Sequence, residues 1–110
     1  MAREQFETLT EQMFYILLCL QSECYGTDMM ERIGSMTGGR VSVGPGTLYN
    51  LLDRFLSAGM IRETKVEGRK RSYLITGAGL EALEQEYRRL GMLRADYRTY
   101  GRKELDGHAE

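Results

Sequence analysis

Apolar residues recur at helical spacing in four stretches of this chain. Met13, Ile16, Leu17 and Leu20 form the first stripe, and Thr8 with Glu11 three residues later predicts a capping box at its start. Tyr25-Gly26 predicts its break. Thr27 predicts the N-cap of a second helix, with Asp28 near the positive end of its dipole and Met29, Ile33 and Met36 on one face. Gly38-Gly39 predicts its stop, and residues 40–43 read as a short extended connector. A third helix opens at Gly44-Pro45, because proline suits a first helical position whose N–H has no partner. Leu48, Leu51, Leu52 and Phe55 fall at i, i+3, i+4 and i+7 and define its buried side. The opposite side shows Gly46, Asn50 and Asp53, flanked by Thr47, Tyr49 and Arg54. Gly59 predicts a left-handed cap, with Met60 packing back on the helix end.

The period then changes. Residues 61–66 and 72–76 read as two strands, with Glu67-Gly68 in the turn and Arg69-Lys70-Arg71 directly after it. A pair this short must lean on the helices. Thr76 predicts the cap of a last helix, in which Leu80, Leu83, Tyr87, Leu90 and Tyr97 approach a heptad seam and Arg94 fills the slot between the last two. That helix is expected to reach about Tyr100, with Gly91 a weak point inside it and a polar, fraying tail beyond. The apolar side of this last helix exceeds what so small a body covers by itself. Leu80, Leu83, Tyr87 and Leu90 are therefore expected to meet a second subunit, against its first helix.

Composition narrows the class. The chain has 110 residues, 42% hydrophobic and 28% charged, which fits one folded domain without disulfides or metal. No apolar run approaches the ~20 residues that span a bilayer. Met1-Ala2-Arg3-Glu4-Gln5 lacks a signal-peptide core, so the expectation is a cytoplasmic protein with no membrane partner. Cys19 and Cys24 match no metal-ligand pattern and read as reduced thiols. Met29, Met30 and Met36 read as core filler, and Glu84 with Arg88 as a surface pair. His108, the single histidine, lies in the tail. With no nucleophile–base pair, metal-ligand cluster or phosphate loop followed by lysine, the expectation is no enzyme, no cofactor and no metal.

Charge changes the picture more. The net charge is −1, yet positions 40–73 carry seven basic residues against three acidic ones, a local +4 on a body of −5. A basic face on an acidic body orients toward phosphate.

Helix, helix, helix, strand, strand, long helix is the order of a winged helix-turn-helix: mainly α with a small β-wing, plus a long C-terminal dimerisation helix. Residues 1–76 would form the DNA-binding unit and 77–110 the dimerisation helix and tail of one compact domain. Here the sequence resembles the PadR family of bacterial transcriptional regulators over roughly residues 9–90. The resemblance rests on Tyr25-Gly26, Gly38-Gly39, Pro45-Gly46-Thr47-Leu48-Tyr49 with Leu51-Leu52, Ala58-Gly59-Met60-Ile61, and the run from Arg69 through Tyr73 followed by Leu74-Ile75-Thr76-Gly77-Ala78-Gly79. The single C-terminal helix is similar to the smaller subfamily.

The resemblance implies a homodimeric repressor that binds a double-stranded operator of inverted-repeat character and is released by a small aromatic or hydrophobic effector. It implies a recognition helix over about residues 45–58 in the major groove and a wing on the backbone or minor groove. The DNA-facing residues would be Arg40, Thr47, Tyr49, Asn50, Arg54, Arg69, Lys70, Arg71 and Tyr73. Thr47 and Tyr49 would reach phosphate and sugar from the leading edge, although Tyr49 can also serve packing. The basic triplet would hold phosphate at the wing tip. Many relatives carry proline at the position of Asn50 and a basic residue at that of Asp53. Asn50 can pair bidentately with adenine and is the candidate base reader. Asp53 can lie away from the DNA, pair with a cation or accept from cytosine N4, and the first is the working expectation. Dimerisation would use Leu80, Leu83, Tyr87, Leu90 and Tyr97. Tyr15, Tyr97 and Tyr100 would line an effector pocket at that seam or serve as interface aromatics. A winged-helix protein–protein adaptor without DNA binding is the alternative.

Overall fold

The computed structural model describes residues 8–102, so the N-terminal pentapeptide and His108 lie outside the described residues. Its elements are α1 (Glu11–Cys19), β1 (Cys24–Tyr25), α2 (Gly26–Met36), α3 (Pro45–Ser57), β2 (Ile61–Glu67), β3 (Lys70–Ile75) and α4 (Gly77–Tyr100). This is the expected mainly α architecture with a β-wing.

The sheet has three strands rather than the expected two. Its order is β1-β3-β2, antiparallel throughout, with Cys24 opposite Tyr73 and Tyr25 opposite Ser72. Two residues carry no period, so β1 exists only because β3 lies beside it. Between β2 and β3, Glu63 faces Tyr73 and Lys65 faces Ser72, so Thr64 is an extra residue in a bulge. Its hydroxyl lies 2.7 Å from that of Ser72, which is buried.

Two helix starts differ from expectation. Thr10, not Thr8, caps α1, its Oγ1 accepting from Met13 N at 3.2 Å. Glu11 is therefore the first helical residue and no capping box forms through it. The cause is Leu9, which is buried and donates its N–H to Glu86 Oε1 at 3.2 Å, so the chain is pinned just before Thr10. Tyr25, not Thr27, precedes α2, because pairing with β3 holds it extended (φ −75°, ψ 145°).

The third helix behaves as its sequence predicts. Gly44 precedes it, Pro45 opens it, and Leu48, Leu51, Leu52 and Phe55 are buried. It ends on Gly59 at φ 75°, with Gly59 N bonded to Leu56 O and Met60 N to Phe55 O, which is a Schellman cap. Phe55 is the largest fully buried side chain, at the centre of a core with Ile16, Leu17, Leu20, Met29, Ile33, Leu48 and Met60. Met36 departs from its expected place and is exposed at the helix end. Val41 and Val43 take burial up from the connector, whose carbonyl at Ser42 accepts from Gln12 Nε2.

Thr76 caps α4 by accepting from Gly79 N, and its hydroxyl donates to Gly59 O at 2.6 Å. This 24-residue helix buries only Gly79, Ala82, Leu83 and Glu86. Its later half extends beyond the body, and the described chain is correspondingly long, 58 × 31 × 21 Å. None of the helices among the described residues is long and apolar enough to cross a membrane.

Candidate nucleic-acid interface

The leading edge of α3 stands clear of the core. Thr47, Asn50, Asp53 and Arg54 are exposed, while Leu48, Leu51 and Leu52 hold the helix from behind. No side chain caps the helix start, so its first N–H groups are left to solvent or to an anion. Tyr49 both packs and faces outward. It is 40% exposed, yet its ring lies over Gly26, where an added Cβ would come within 2.9 Å of the Tyr49 hydroxyl. Any side chain at position 26 would displace the ring, so the start of α2 sets how Tyr49 is presented.

The wing divides the basic triplet. The turn is Gly68-Arg69, with Gly68 at φ 62° and Glu67 opposite Lys70. Lys70 and Arg71 therefore belong to β3, not to the turn, and strand alternation sends them to opposite faces. Lys70 Nζ lies 5.5 Å from the centre of the Tyr25 ring. The Tyr25 hydroxyl in turn donates to Glu67 Oε1 at 2.6 Å, a bond that raises its pKa. Arg71 faces α3 and pairs with Glu63 at 3.1 Å.

Arg69 and Arg71 form one wall of a hollow of about 270 Å³ whose other linings are Thr27, Tyr49, Asp53 and Tyr73. Tyr73 is only 4% exposed and contributes to the floor rather than to a free surface. Burial, then the Glu63 carboxylate, hold its phenol above the ordinary pKa, with Arg71 opposing and Tyr49 and Asp53 adding smaller effects. Asp53 thus shares this hollow with Arg69 and Arg71. Thr27 belongs there too, in the first turn of α2 rather than at its cap.

Arg40 lies apart from this groove. It pairs with Glu11, donates to the Tyr15 hydroxyl at 2.9 Å and stacks over that ring, tying the connector to α1. Lys65 reaches Glu23 at 3.9 Å. The Thr64 hydroxyl, above all, and then Lys65 and Ser72 hold the Glu23 carboxyl below its ordinary value against the opposing cost of burial. Sequence reading missed this bracing of the wing by Glu23 and Tyr25, because neither has a partner close in the chain.

On α4, Leu80, Tyr87, Leu90 and Tyr97 are exposed, at 43, 67, 41 and 70%, whereas Leu83 is 6% exposed within the chain's own core. Tyr15 lines a second hollow of about 270 Å³ with Leu9, Phe14, Glu86, Arg89 and Leu90. Tyr97 and Tyr100 do not line that hollow and are largely exposed. Glu86, unforeseen in the sequence, is buried and holds both Leu9 N–H and the Arg89 guanidinium. Glu84 and Arg88 form the expected surface pair at 3.7 Å. Cys19 and Cys24 are buried free thiols; burial pushes Cys19 up to about 11 and raises Cys24 as well, which keeps both protonated and unreactive at neutral pH. No cluster of three or more metal-ligating residues occurs among the described residues.

A family model described as the transcriptional regulator PadR-like family matches residues 16–85. Among solved structures, a transcriptional regulator from Clostridium thermocellum is similar, with 22% identity, 81% of this chain and 91% of that chain covered, and a TM-score of 0.72. A PadR family transcriptional regulator from Eggerthella lenta gives 21% identity, coverage of 76% and 70%, and a TM-score of 0.65. H. salinarum RosR gives 22% identity, coverage of 83% and 94%, and a TM-score of 0.60. A search of curated proteins returned no significant match.

Proposed function

Because the chain belongs to the PadR-like family of transcriptional regulators, which is not a family of enzymes, we propose that it is a dimeric repressor binding a pseudo-palindromic DNA operator. The family and fold support DNA-binding transcription regulation in general. The observation that carries the finer reading is the shared groove: the exposed edge of α3 on one side, Arg69 and Arg71 of the wing on the other. A duplex seated there would meet Thr47 and Tyr49 at its backbone, Asn50 at a base edge, and guanidiniums at the next phosphates. Residues 1–76 would supply this unit and residues 77–110 the arm that pairs two of them.

Mobility shift on the DNA upstream of the protein's own gene, across a salt series, tests the reading. The triple variant Arg69→Ala, Lys70→Ala, Arg71→Ala should bind more weakly, with a salt slope shallower by roughly one to three. Unchanged affinity and slope would remove the wing from the mechanism.

One observation favours the adaptor alternative, namely that Arg40, Lys65 and Arg71 are engaged with carboxylates of the same chain. Tight, salt-insensitive capture of a protein together with no DNA binding would establish it. Effector release by a small aromatic or hydrophobic molecule at Tyr15, Tyr97 and Tyr100 requires a partner subunit to bring these rings together. A panel of aromatic ligands that leaves thermal stability and DNA affinity unchanged would remove that element.

A further inference from the structure

Asp53 places a negative charge inside the groove assigned to phosphate. It lies one helical turn beyond Tyr49 on the exposed side of α3 and shares a hollow with Arg69 and Arg71. Arg71, one of the hollow's linings, pairs with Glu63 at 3.1 Å. Carboxylates and guanidiniums therefore converge on one small volume. Such a groove does not attract every polyanion equally. A carboxylate facing the duplex penalises phosphate whatever the sequence, unless the DNA presents a hydrogen-bond donor to it. An ionised carboxylate only accepts, and the N4 amino group of cytosine is a donor that the major groove displays.

We propose that Asp53 is a specificity-determining residue that works mainly by rejection. It weakens binding to DNA of arbitrary sequence, and a cytosine amino group at the operator relieves that penalty while Arg69 and Arg71 take the neighbouring phosphate. Discrimination by a repulsive element is a general route to specificity, since it lowers affinity for wrong partners without adding contacts to the right one. This inference rests on the DNA-binding reading above.

The test compares the full-length protein with Asp53→Asn, which removes the charge at constant shape on an exposed position, and Asp53→Glu, which keeps the charge. A site is first selected by the wild-type protein from a random DNA pool. Affinity is then measured for that site and for a scrambled duplex of equal length across a salt series. Asp53→Asn should bind the scrambled duplex about 5- to 20-fold more tightly and the selected site no more tightly, so that the specificity ratio collapses by that factor. Asp53→Glu should keep the rejection of scrambled DNA, and selection with Asp53→Asn should lose a cytosine preference in each half-site. If Asp53→Asn shifts both duplexes by the same factor, or neither, Asp53 is no determinant although DNA binding stands. If the wild type shows no salt-dependent binding to any duplex, the DNA reading and this inference fall together.

Discussion

The two amphipathic helices α3 and α4 solve opposite problems. In α3 the apolar side chains Leu48, Leu51, Leu52 and Phe55 are buried within the chain, Leu56 is partly buried against the same core, and the exposed side is polar apart from Pro45 and the half-packed Tyr49. In α4 burial stops at Glu86, and Tyr87, Leu90, Met92, Leu93, Tyr97 and Tyr100 stay exposed. A helix whose polar side is left over suits a polar partner. A helix whose apolar side is left over suits a protein surface, because contiguous exposed apolar area marks such sites. Under the proposed function, α3 would read nucleic acid and α4 would hold two readers at a fixed spacing.

The most severe way to break the contrast is to empty the anchor of α3. Phe55→Ala removes a fully buried ring and should cost about 3–5 kcal/mol in urea unfolding. A loss below about 1 kcal/mol would mean that α3 is not held by its apolar side. Next comes the last anchored turn of α4. Glu86→Ala leaves Leu9 N–H and Arg89 without their carboxylate and should cost about 1–3 kcal/mol, measured in the same way.

Alkaline pH sharpens the same core without a large substitution. The Cys19 thiol rises from an ordinary 9.0 to about 11 on burial. The folded state thus holds the proton more tightly, so its stabilising contribution is complete below pH 9 and is lost as pH rises through 11. The stability difference between the wild type and Cys19→Ala should therefore shrink between pH 9 and 11. A difference that stays constant over that range would refute the assignment.

The smallest effect on folding is expected at the far end of α4. Leu90→Glu should change the stability of the isolated subunit by no more than about 0.5 kcal/mol, since the side chain is 41% exposed. Sedimentation should show the wild type dimeric, as proposed, and this variant monomeric at the same concentration. A variant that unfolds instead would place Leu90 in the subunit's own core and erase the contrast with α3.

Local chemistry made much of this legible in advance. The i, i+3, i+4, i+7 spacing set the buried side of α3, Pro45 set its start and Gly59 its end, because each depends on residues within one or two turns. The Thr76 cap and the reach of α4 to Tyr100 were legible for the same reason. What failed depends on neighbours distant in sequence. Thr10 rather than Thr8 caps α1 because Glu86 pins Leu9 from 77 residues away. Tyr25 rather than Thr27 precedes α2 because β3 holds it extended, and β1 has no existence without that strand.

The sequence by itself determined the winged-helix order, the anchored side of α3 and the presence of a basic hairpin, since periodicity and turn residues act over a few positions. Only the tertiary structure decided how those cations are used. Packing turns Lys70 toward Tyr25, engages Arg71 with Glu63, and sets Arg69 and Arg71 across a hollow from Asp53. Charge can be counted along a chain, but the field it makes depends on which side chains face one another across a groove, and that follows from the fold.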